Sequence, residues 1–427
     1  MTLLLRQVKI IDPTSAHHGQ VKDVLIRNGK IAAIRKRVPG SFKRTVAHEG
    51  LIISPGWIDV GTFIGDPGME HIETMQSASK AAAAGGFTGM VMLPNTEPAL
   101  QSKSEIEYIL NRSRSMISRV FPLGALTKAC QGYEMAELVD MHHAGAVGFT
   151  DGMHSIQEAG VLLRGLEYVK TFGGIVVNHP DTEDIGAQGM IHEGSVSVSL
   201  GLVGKPDLAE ALMVKRDIDL LRYSNSRLHV LNISSAKSVE LVRAAKTEGL
   251  NLSCSVPVMN LVETDERMLG FDSNLKVRPP LRSESDRIAL VEGIADGTID
   301  FVTSNHQPVE VERKKLEFAY AAYGSIGLQT VLPLLIKGLG RKKSPERIVQ
   351  VLSLAPRRHF NLPVPSIDQG KMAEITLFDL NSQWELSQDK IHSKSLNSAY
   401  VGIPLKGRSL GVVNGEKVHL GDGLGAS

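Results

Sequence analysis

A chain of 427 residues with a formal net charge of +1 can bury a large core and exceeds one typical domain. That balance gives no electrostatic reason to expect nucleic acid or a membrane surface as partner. Two cysteines, Cys130 and Cys254, without a C-x-x-C pair, exclude a disulfide framework and fit a reducing cytoplasm.

The N-terminal run Leu3-Leu4-Leu5 is too short for a signal sequence, and no apolar stretch of about 18 residues follows. Residues 1–53 read as strands. Asp23–Arg27 and Lys30–Ile34 flank Asn28-Gly29, a strong hairpin signal because both turn residues tolerate positive φ. The C-terminal part has the same character: Ala373–Asp379 is a strand candidate, and Asn414-Gly415 separates Gly411–Val413 from Glu416–Leu420. Similar β-rich ends predict one small sheet domain made from both termini. The glycine-rich end, 421–427, reads as a frayed tail.

Between these ends short apolar segments alternate with helical patterns. The strand candidates are 57–60, 89–93, 120–124, 146–149, 174–177, 227–231, 250–254 and 299–302. Ser238–Lys246 carries valines and leucine at helical spacing and ends near Gly249. Such alternation predicts a parallel sheet covered by helices, and eight strands suffice for a barrel. The charge runs Arg313-Lys314-Lys315 and Arg341-Lys342-Lys343 are short and read as solvated helix faces.

Ser54-Pro55-Gly56-Trp57-Ile58-Asp59-Val60-Gly61-Thr62-Phe63-Ile64-Gly65-Asp66-Pro67-Gly68 resembles P-G-x-I-D-x-H-x-H-x-R-x-P-G, the metal-binding opening of the cyclic amidohydrolases, in its dihydroorotase form. The resemblance implies a (β/α)8 TIM barrel, an α/β fold of the amidohydrolase type, at 54–364. Beside it stands a composite β-sandwich domain from 1–53 plus 365–427. It covers about residues 50–340 strongly and the β domain more loosely. Where the family places two metal-binding histidines and an arginine for the substrate carboxylate, this chain has Gly61, Phe63 and Gly65.

Later stations follow suit. Pro94-Asn95-Thr96 is similar to the family's P-N-T loop, placing Asn95 at a substrate-carboxylate position; a rigid turn between Pro94 and Pro98 is the plainer reading. Asp151, in Phe149-Thr150-Asp151-Gly152, and His179, after a buried strand, occupy ligand positions. In Leu228-His229-Val230-Leu231-Asn232 the family's ligand histidine is Asn232. His229 lies three positions earlier, so strand parity puts it on the opposite face. Lys276-Val277-Arg278-Pro279-Pro280-Leu281-Arg282 matches K-V-N-P-P-L-R, with Arg278 in place of a substrate-contacting asparagine. Thr303-Ser304-Asn305-His306-Gln307-Pro308-Val309 stands against T-D-H-A-P-H, with Asn305 in place of the aspartate general base and Val309 in place of the closing histidine.

A catalytic zinc needs about three protein ligands, and a neutral amide is no base. The resemblance therefore implies a degenerate site with Asp151 and His179 as residual ligand positions, no catalytic residue and no cofactor. By analogy with noncatalytic dihydroorotase-like chains, it implies a structural or regulatory partner of aspartate transcarbamoylase in pyrimidine biosynthesis, cytoplasmic and dimeric. Two alternatives stand beside this. One is an active, zinc-dependent dihydroorotase with ligands relocated among His71, His142, His143, His154, His192 and His306. The other is a ligand-binding sensor using Asn95, Arg278 and His306.

Overall fold

The computed structural model describes residues 1–422 and Leu424; the remainder of the expected frayed tail, Gly423 and 425–427, lies outside the described residues. Strands β1 (Thr2–Ile10), β2 (Val21–Arg27), β3 (Lys30–Arg35), β4 (Thr45–Ala47) and β5 (Ile52–Pro55) open the chain. Asn28 and Gly29 take φ of 48° and 74°, the mirror-image turn that matches strand twist, and Arg27 pairs with Lys30.

The barrel strands are β6 (Trp57–Thr62), β7 (Phe87–Met92), β8 (Arg119–Pro122) running on into β9 (Gly124–Ala125), β10 (Phe149–Thr150) and β11 (Val176–Asn178). A short outer ladder, β12 (Ile191–His192) with β13 (Gly204–Lys205), interrupts them. Then come β14 (Leu228–Val230), β15 (Leu252–Pro257) and β16 (Phe301–Thr303). With β8 and β9 counted as one, there are eight. Parallel ladders join β6 to β8 and β9 to β16. The seam between β16 and β6 is held by a side chain: the buried Asp59 carboxylate accepts from the Ser304 N–H and hydroxyl, both at 2.7 Å. Asp59 thus has a scaffold role. The interior is packed with Ile58, Val60, Val91, Val177, Leu231 and Phe301, each burial contributing roughly 1.5–3 kcal/mol.

Helices cover the outside. Ala236–Thr247 starts at Ser235, whose hydroxyl accepts from the Ser238 N–H, and turns Val239 and Val242 inward. No helix is long and apolar enough to cross a membrane among the described residues.

The chain closes with β17 (Glu374–Glu385), β18 (Pro404–Asn414) and β19 (Lys417–Leu420). Both termini share one sheet, ordered β19-β18-β17-β5-β1-β2-β3. Ser54 and Pro55 still pair with β17, so the β domain reaches two residues past 53. The second hairpin also differs from its prediction. Asn414 pairs with Lys417, making Gly415-Glu416 the loop. The Asn414 amide donates instead to the Thr88 and Ile117 carbonyls, tying the sheet to the barrel.

One charge run corrects its expected reading. Arg341–Lys343 is exposed, but Lys314 is buried, its ammonium donating to the Ser273 and Ala322 carbonyls at 2.6 and 2.8 Å. Burial pushes its pKa down to about 8.

Candidate active site

The strand ends converge on a cavity of about 410 Å³, within the usual range for small-molecule sites. Its floor is apolar. Gly61, the last residue but one of β6, takes φ 79°, and a Cβ built on it would lie 3.2 Å from Leu231 Cδ1. The Leu231 side chain therefore occupies the direction in which a residue at 61 would project, and Phe63 completes the floor. The arginine station is closed by backbone: a Cβ at Gly65 would stand 2.6 Å from the Met69 carbonyl oxygen.

Polar groups above the floor satisfy one another. Asn232 and Asn305 take left-handed φ of 67° and 48°, which asparagine tolerates better than most residues. The Asn232 amide donates to Asn305 Oδ1 at 3.2 Å, and the Asn305 amide to the Arg278 carbonyl at 3.0 Å. Asn232 Oδ1 accepts from the Thr303 hydroxyl at 2.7 Å. The result is a chain of neutral amides linking the ends of β14 and β16.

His179 faces the cavity. Its Nδ1–H donates to the Leu231 carbonyl at 3.2 Å, which leaves Nε2 as an open acceptor in the neutral ring. Burial holds its pKa below the usual histidine range. Arg278 stands at the mouth with its guanidinium 4.2 Å from the Tyr323 ring centroid.

Three expected residues are corrected. Asn95 does not line the cavity. Its amide donates to the Asp151 carbonyl and its oxygen accepts from the Met153 N–H, both at 3.0 Å, so both ends clamp the loop after β10. Asp151 also points elsewhere, its carboxylate accepting from the Thr127 N–H at 2.8 Å and hydroxyl at 2.5 Å; burial raises its pKa. His306 is buried outside the cavity. Its Nδ1 accepts from the Gly327 N–H, so Nε2–H points at Glu73, 3.4 Å away.

His229 corrects the parity argument. It stacks on Phe301 at 4.7 Å within the barrel interior, on the same side as Leu231, and Ser253 and Ser255 engage both ring nitrogens. The strand ends at Val230, and the left-handed turn at Asn232, not period-two alternation, brings that amide to the mouth.

The other histidines do not assemble. His154 lines the cavity, His71 faces Glu310, His142 stacks on Phe172 and His192 lies by Arg282. Among the described residues no three His, Cys, Asp or Glu side chains are grouped to hold a metal ion. The side chains present do not fit the zinc that the resemblance implies for an active enzyme: His179 and His154 line the cavity with Leu231 and Phe63, and no third ligand is grouped with them among the described residues.

Glu73, which sequence reasoning missed, binds His306, the hydroxyls of Ser77 and Ser393, and the Lys394 N–H. It latches the loop after β6 to the segment leading into β18, with no local signal in the sequence. Burial raises its pKa, but these donors outweigh burial and hold it below the usual carboxylate range. The latch therefore contributes stability above that range and loses it as pH falls through the folded value. Glu73→Ala is expected to cost about 3–5 kcal/mol in urea unfolding at pH 7; a loss within experimental error would remove the latch from this account.

Comparison with known proteins finds the Dihydro-orotase-like family over residues 50–238 and the Amidohydrolase family over 187–418. A dihydroorotase of Pelotomaculum thermopropionicum is 36% identical over 424 residues, 99% of each chain. One from Geobacter sp. (strain M21) is 35% identical over 98% of this chain and 99% of its own. Among solved structures, L-hydantoinase (dihydropyrimidinase) from Arthrobacter aurescens superposes with a TM-score of 0.84 at 24% identity, covering 97% of this chain and 95% of its own. Dihydropyrimidinase from Brevibacillus agri NCHU1002 gives 0.82 at 20%, over 98% and 95%. These structures share the barrel and sandwich.

Proposed function

The chain belongs to the dihydroorotase-like members of the amidohydrolase family, and from that premise we propose that it is a noncatalytic one. In this reading it serves pyrimidine biosynthesis in the cytoplasm, as a dimeric structural or regulatory partner of aspartate transcarbamoylase. The observation that carries the reading is the filled ligand position, Leu231 lying where a side chain at 61 would project. Cyclic-amide hydrolysis by this family's chemistry needs a water whose pKa is brought from about 15.7 to about 7 by a metal, and a base to take its proton. Here His179 is the one family ligand station that still turns an open ligand atom to the cavity, and Asn305 has no basic lone pair to offer. The partner rests on family analogy, an associational warrant.

A second reading is favoured by a different observation. The full-length relatives carry the name dihydroorotase, which supports an active hydrolase converting dihydroorotate and water to N-carbamoyl-aspartate better than it supports a silent one. That enzyme would need zinc on ligands other than those at the family's stations.

Metal analysis of the purified chain, with a dihydroorotate turnover assay run with and without added zinc, separates the two. The noncatalytic reading expects less than stoichiometric zinc and no hydrolysis above the uncatalysed rate. Zinc-dependent turnover establishes the second reading and ends the first. Light scattering of the chain alone and mixed with aspartate transcarbamoylase tests the assembly, co-elution being the expected result.

A further inference from the structure

The mouth of the cavity holds a cation with no protein partner. Among the described residues the Arg278 guanidinium makes no hydrogen bond or ion pair; it lies on Tyr323, whose hydroxyl is fixed by donating to the Gly189 carbonyl at 3.0 Å. Its backbone is fixed too, the Arg278 carbonyl accepting from the Asn305 amide. The neighbouring Lys276 spends its ammonium on the Phe318 and Ala319 carbonyls at 2.8 and 2.9 Å. Asp181 is neutralised by Lys205 at 2.7 Å. Glu183 and Arg313 line the cavity as well, and of its two arginines Arg278 is the one held on an aromatic face. A guanidinium braced on an aromatic face presents its N–H fork with little entropy left to lose, a geometry suited to a carboxylate.

The same cavity is lined by the apolar Phe63 and Leu231, and His179 Nε2 offers it a lone pair. An acceptor there calls for a ligand N–H. We infer that this cavity is a metal-independent site for a small carboxylate carrying an amide N–H, its carboxylate on Arg278 and its N–H on His179 Nε2. The anion anchor is then Arg278, in place of the station closed at Gly65. The inference rests on the noncatalytic reading for the absence of turnover, not for the binding itself.

The test uses the full chain after chelator treatment, titrated with dihydroorotate, N-carbamoyl-aspartate and dihydrouracil, the last lacking a carboxylate. Binding is followed by calorimetry and by the thermal midpoint. At least one acid is expected to bind saturably without metal and to raise the midpoint, and dihydrouracil to bind at least tenfold more weakly. Arg278→Ala is expected to weaken the acid at least tenfold, and Tyr323→Leu by a smaller factor. Arg278 is solvent-exposed, so its variant is expected to keep the unliganded midpoint, which checks folding. No saturable binding, equal binding of dihydrouracil, or an Arg278→Ala variant that binds like the parent overturns the inference. Zinc-dependent turnover together with Arg278-dependent binding in chelator overturns the noncatalytic reading alone. A chain that neither turns over nor binds overturns the site alone.

Discussion

Between about pH 5.5 and pH 4 the unfolding free energy of this chain is expected to fall by roughly 1.2–1.4 kcal/mol per pH unit on account of His229 alone. The ring is fully buried, stacked on Phe301 and held between two serine hydroxyls. Burial chiefly, with the neighbouring His359 adding to it, pushes its pKa down to about 3. The sign follows from which state takes the proton. In the unfolded chain the imidazole titrates near 6.5; in the folded chain it stays neutral until about 3. Across that window the unfolded state binds more protons, so stability drops as pH falls. Urea unfolding of the parent and of His229→Gln at half-unit intervals isolates the effect. The variant should lose one proton's worth of slope, whatever its absolute stability. Parallel curves for the two proteins would mean that His229 is protonated in the folded state, and its place in the core would have to be abandoned.

His229 also marks where sequence reasoning stopped. The alternation of apolar segments and helices gave the eight barrel strands, and Asn28-Gly29 gave its hairpin, because both are signals of local backbone geometry. The loss of metal-site residues was legible as well, since Gly61 and Phe63 are non-ligands wherever their side chains point. What was not legible depends on contacts far apart in the chain. Glu73 meets Ser393 across 320 positions, Lys314 meets Ser273 across 41, and nothing local announces either. Asn95 and Asp151 kept their identities and lost their expected orientation, because the Thr127 and Met153 N–H groups compete for the same oxygens. Parity failed at His229 because the strand ended sooner than its apolar run.

The second large effect concerns putting the lost groups back. Gly61→His, Phe63→His, Asn232→His and Asn305→Asp together restore the family's residue types, yet the combined variant is expected to bind no stoichiometric zinc. Position 61 has φ 79°, where a residue with a Cβ pays roughly 1–2 kcal/mol, and the new ring meets Leu231, an overpacking cost of about 1–3 kcal/mol. Breaking the Asn232–Asn305 amide chain adds to this. Adding Leu231→Ala empties the obstructed direction, so the five-fold variant is expected to gain zinc, with His179 Nε2 among its ligands. Turnover still lags. The Met69 carbonyl closes the arginine station at Gly65, so the substrate carboxylate lacks the anchor the family places there. Metal analysis and dihydroorotate kinetics on the two variants read this directly. A four-fold variant that takes up one zinc and hydrolyses dihydroorotate would show that residue identity alone silenced the site. In that event Leu231 would be a bystander, and the chain would stand four substitutions from an enzyme; the geometry places it further away.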